Sequence, residues 1–167
     1  MTSKLVVLLG TIGLAGCVSE GPTSTDQSTN AVSPNAAQFA SFGRAAGKAC
    51  IAQFLGESNS TSILNSSGYT PEPTSGRRHY FARSIEGGRR SIGGKDMGRT
   101  GVGLPSEPDR HGRLVCTASV SGFTEANGNA FYRAFQAEFN ASSIASSVSV
   151  WGRYENNRTS IGVRYTP

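Results

Sequence analysis

Phe39, Phe42, Ala46, Cys50 and Phe54 recur at intervals of three and four residues, the period of a helix with one apolar face. Ser33-Pro34-Asn35 offers capping side chains and a proline just before them, and Gly56 offers a stop. That face buries three Phe and turns Cys50 inward. A short helical turn is predicted over 61–66, closed by Gly68. Residues 78–86 read as extended, and 113–120 alternate with Leu114, Cys116, Ala118 and Val120 on one face. Phe131, Phe135 and Phe139 predict a second long helix over 130–140, with Asn127 or Asn129 as its cap. Val148, Val150, Ile161, Val163 and Tyr165 then keep period two around Glu155-Asn156-Asn157-Arg158, which predicts a terminal hairpin.

Helix, strands, helix and hairpin in that order predict an α+β fold, a small antiparallel sheet with helices packed on one face. Trp151, Tyr154 and Tyr165 fit sheet packing; the alternatives are an aromatic ligand face or an edge open to strand addition. At 167 residues, 37 % of them hydrophobic and 21 of them Gly, the chain suits one modest core plus irregular segments. It contains no apolar run long enough for a mature membrane-spanning helix.

The first residues read MTSKLVVLLGTIGLAGC, with Lys4 ahead of an apolar run over 5–15. That run has the length of a secretory h-region. Leu14-Ala15-Gly16-Cys17 resembles the lipobox of bacterial lipoproteins. The resemblance implies cleavage before Cys17, leaving 1–16 as the signal peptide, and acylation of Cys17 by diacylglyceryl and fatty acyl groups such as palmitate. Several acyl chains anchor stably where one does not. Val18 and Ser19 occupy the positions where Asp favours inner-membrane retention, which points to the outer membrane, facing the periplasm.

Export implies an oxidising compartment, and with Cys17 acylated the remaining Cys50 and Cys116 are expected to form one disulfide. Residues 17–35 comprise the acylated Cys and a linker rich in Ser, Thr, Asn, Gly and Pro. This segment reads as a flexible tether with a root-mean-square reach of roughly 20 to 25 Å. The remainder, 36–167, is expected to fold as the single domain.

Charge then changes the picture. Between Arg77 and Arg113 nine Lys or Arg stand against four Asp or Glu. Arg77, Arg78, Arg83, Arg89 and Arg90 are the candidate contacts for an anionic envelope polymer or an acidic envelope protein. Nucleic acid is not expected, since no binding module is recognisable. Solvation of a basic loop is the plainer alternative. Within this stretch GGKDMGRTGVG, residues 93–103, has neither dinucleotide nor P-loop spacing and reads as a mobile loop. Only His79 and His111 offer acid–base or metal chemistry, without a ligand cluster, so no metal, cofactor or catalytic residue is assigned. Three functions remain open: a non-enzymatic, lipid-anchored envelope protein that contacts another component through the basic segment or hairpin; a small periplasmic hydrolase or transferase using His79 or His111; and a generic anchor without a specific ligand.

Overall fold

Asn35 starts the first helix as its sequence predicts: its Oδ1 accepts from the Gln38 N–H at 3.0 Å. In a computed structural model, residues 35–167 are described. The expected signal peptide, the lipobox-like segment and nearly all of the expected tether lie outside them. Helix α1 covers Ala36–Phe54 and α2 covers Ser60–Ser66. Four strands follow, β1 Thr70–Ser75, β2 Arg78–Ile92, β3 Lys95–Pro105 and β4 Leu114–Ser121. Helix α3 covers Glu125–Asn140, and the hairpin of β5 Val148–Glu155 and β6 Arg158–Tyr165 ends the chain. The six strands form one antiparallel sheet in the order β1-β2-β3-β4-β6-β5. Its fold is α+β, as the apolar periods predict.

The helices cover one face of the sheet. Phe39 of α1 and Phe131, Phe135 and Phe139 of α3 are fully buried. They meet Phe81, Val102, Ala118, Val120, Ile161 and Val163 from the strands. Cys50 and Cys116, both fully buried, are disulfide-bonded with a Cα–Cα distance of 6.0 Å, tying α1 to the inner strand β4. Gly43 and Gly47 bring α1 against the backbone of α3: a Cβ at Gly43 would overlap the Phe131 carbonyl oxygen.

Several elements differ from their sequence expectation: β1 has no counterpart in it, and β2 runs on from the expected 78–86 to Ile92. Residues 93–103 are not a mobile loop. Gly93 and Gly94 make the turn, and Lys95–Pro105 pairs along both β2 and β4. Two of its glycines lie beneath or beside aromatic rings, Phe123 over Gly98 and Tyr80 beside Gly103, which replace the missing side chains. Helix α3 begins five residues early, capped by Thr124, whose Oγ1 accepts from the Asn127 N–H at 3.3 Å. Gly128, inside α3, permits close approach to β6, where a Cβ would overlap the Thr159 hydroxyl.

Tyr69, Thr100 and Thr159 each bury a hydroxyl oxygen that finds no hydrogen-bond partner. Burial pushes the Tyr69 phenol up to about 12, against opposing pulls from the Thr100 hydroxyl and the Arg83 charge. The folded state therefore keeps this proton longer than the unfolded chain, which releases it near pH 10. Stability should be intact below pH 10 and fall by about 3 kcal/mol as the pH rises to about 12. Replacing Tyr69 by Phe should flatten this base-induced loss, measured by denaturant unfolding across that window. Equal losses in both proteins would contradict it.

Candidate functional site

Strand parity decides which side chains face the helices and which face outward, because successive residues alternate. Phe81, Val102, Ala118 and Ile161 share a row on the helix side. One residue away, Tyr80, Gly103, Thr117, Gly162 and Trp151 pair across β2, β3, β4, β6 and β5 and face outward. The next outward row is Ala82, Gly101, Ser119, Ser160 and Arg153. Beyond it stand Ser84, Arg99, Ser121 and Arg158. The centre of this face is thus built of glycines and small hydroxyl residues, with longer side chains around them.

The result is an open groove of about 530 Å³. Gly101, Gly103, Thr117, Ser119 and Ser160 line its floor, and Tyr80 stands at one side. Arg78, Arg90, Arg99 and Arg158 surround it, with Glu72 as the one carboxylate in the lining. Glu72 pairs with Arg99, and Arg78 donates from Nε to the Val115 carbonyl at 3.3 Å. Arg90 and Arg158 have no carboxylate partner among the described residues. Four guanidinium groups against one carboxylate leave a surplus of three positive charges around the groove. On the same face Trp151 lies against Gly162, with Arg164 Cζ 5.4 Å from its ring centroid. Trp151 is 44 % exposed.

The five arginines singled out from the sequence do not form one patch. Arg78 and Arg90 line the groove. Arg77 lies in the turn before β2, paired with Glu107 at 3.0 Å and donating to the Pro108 carbonyl. Arg89 lies within the register shift between Glu86 and Arg90 in β2 and donates to Asn157 Oδ1 at 3.1 Å. Arg83 faces the helices: its guanidinium donates to the Ser67 carbonyl and sits 4.6 Å from the Phe42 ring centroid. Its charge fastens α2 to the core, so Arg83 has a structural role in the fold. Arg99 and Arg158, which sequence reasoning did not single out, take its place at the groove. Parity along β2, opposite for Arg78 and Arg83, was the available signal; the pairing of β6 with β4 was not.

The histidines are held separately. His79 Nδ1 lies 3.3 Å from the Thr74 hydroxyl near the sheet edge. His111 sits in the β3–β4 loop with Nε2 3.1 Å from Arg110 Nε. Asp109 accepts from the His111 backbone N–H at 2.8 Å, not from its ring, and takes Arg113 Nε and Nη2 at 3.0 and 2.8 Å. The Arg113 guanidinium holds the Asp109 carboxyl well below the usual carboxylate range. Among the described residues no three His, Cys, Asp or Glu gather as a metal site, and no helix is long and apolar enough to cross a membrane. No protein family, curated protein or solved structure matches the chain, so its own residues must carry the functional reading.

Proposed function

We propose that the chain is a lipid-anchored, non-enzymatic protein of the bacterial cell envelope that holds an anionic envelope component on the outward face of its sheet. Acylation of Cys17 anchors it to the outer membrane from the periplasmic side, and the Ser/Thr-rich linker sets its reach. The single observation that supports binding is the gathering of Arg78, Arg90, Arg99 and Arg158 around one groove on the face the helices leave uncovered. Such exposed charges attract over roughly 10 Å at 0.1 M salt and roughly 3 Å at 1 M, so binding weakens as salt rises.

Two experiments test the two halves. Metabolic labelling with palmitate should mark the wild type and not Cys17→Ser, which should leave the membrane fraction; membrane retention of Cys17→Ser contradicts the anchor. Purified protein should co-sediment with delipidated envelope polymer at low salt. Reversal by Arg99→Glu with Arg158→Glu should reduce that uptake at least about tenfold, a loss of about 1.4 kcal/mol. Unchanged uptake removes the groove from the account.

A further inference from the structure

We infer that the occupant of this face is a strand of acidic polysaccharide, its sugar rings lying across the Gly101–Ser119–Ser160 row and its acid groups held by the flanking arginines. The inference rests on the proposed binding role of the same groove and names its ligand class.

Charge placement argues first. Arg99 and Arg158 flank Ser121 on strands two steps apart, about 10 Å at the ordinary strand spacing. Each can hold its own acid group on a chain bearing one on successive units, or on every second one; the two can also converge on a single phosphate, the alternative that polyphosphate tests. Shape argues next. Gly101 carries no side chain and is left open, and Thr117, Ser119 and Ser160 present only short hydroxyl groups. A flat ring can therefore approach the sheet while its own hydroxyls meet donors and acceptors. Tyr80 stands at one side of the groove and offers apolar ring surface to the C–H faces of sugars.

An acidic peptide fits less well. The central strands β3, β4 and β6 each pair on both sides, so the groove has no free backbone edge for an extended peptide. A lipid surface would meet whatever projects furthest, such as the β2–β3 tip with Ile92 60 % exposed, rather than a recessed floor.

Binding would be read by isothermal titration calorimetry, because Trp151, the only tryptophan, lies over Gly162 and not in the groove lining. The detergent-solubilised full chain would be titrated with a short oligogalacturonate, a neutral maltooligosaccharide of equal length, inorganic polyphosphate, and phosphatidylglycerol vesicles. The expected result is saturable binding of oligogalacturonate alone, weakened about tenfold by Tyr80→Ala. Gly101→Val should abolish it; its Cβ meets only ordinary contacts, Ser119 Oγ at 3.4 Å and the Phe81 carbonyl at 3.7 Å, and the melting temperature measured alongside separates blocked binding from loss of fold. If polyphosphate or vesicles bind at least as tightly, or if Tyr80→Ala and Gly101→Val leave oligogalacturonate binding unchanged, the polysaccharide is wrong and anion binding stands. If no probe binds, or if binding survives Arg99→Glu with Arg158→Glu, both fall.

Discussion

Replacing Cys50 and Cys116 together by Ala is expected to cost about 4 kcal/mol, the loop-closure entropy returned to the unfolded chain by a separation of 66 residues. A domain of this size commonly has a total stability of about 5 to 15 kcal/mol, so the loss is a large share of the whole. The consequence reaches the binding face, because β4 carries Cys116 inward while its neighbours Thr117 and Ser119 belong to the outward rows. Equilibrium denaturation of the wild type and the double variant measures it directly. The binding face should be lost together with global unfolding in the variant, not ahead of it. A difference below about 1 kcal/mol would mean that helix α1 is held by packing alone, with the bridge adding little.

Gly43→Leu is expected to destabilise by at least about 3 kcal/mol, the upper part of the range for overpacking. The gain in helix propensity on replacing Gly, about 1 kcal/mol, is too small to offset it. What stands in the way is main chain, the Phe131 carbonyl of α3, which cannot swing aside as a side chain would. The helices would have to part, exposing the layer in which Phe135 lies 6.4 Å from Phe131 and 5.2 Å from Phe139, centroid to centroid. Gly43→Ala separates the two effects: close packing predicts a less stable protein, whereas propensity alone predicts a more stable one. Thermal unfolding of both variants decides between them.

The helices and the terminal hairpin were legible because their signals are local. Spacing of Phe residues sets the buried faces of α1 and α3, and Asn156 and Asn157 adopt φ of 52° and 57° in the turn the sequence marks. Strand β3 was not legible, since Gly98, Gly101 and Gly103 have no side chains to alternate, and the cover of Gly98 and Gly103 comes from Phe123 and Tyr80, distant in sequence. The start of α3 was hidden in the same way by Gly128, whose reason for being in a helix is Thr159 of β6. At the candidate site the excess of positive charge was visible, but its distribution was not. Alternation sends Arg78 outward and Arg83 inward, and pairing of β6 against β4 adds Arg158 from the far end of the chain. Charge counting along a segment cannot separate these; register can.

The central claim is that the position of charge on the uncovered sheet face, not the net charge of the protein, holds the anionic partner. Two double reversals test it with equal changes in net charge: Arg99→Glu with Arg158→Glu on the sheet, and Arg44→Glu with Arg133→Glu on exposed positions of α1 and α3. Uptake by delipidated envelope polymer at low salt would be compared for both. The account predicts at least about tenfold loss for the sheet pair and less than about twofold change for the helix pair. Equal losses in the two would contradict it and reduce the protein to a generally basic anchor.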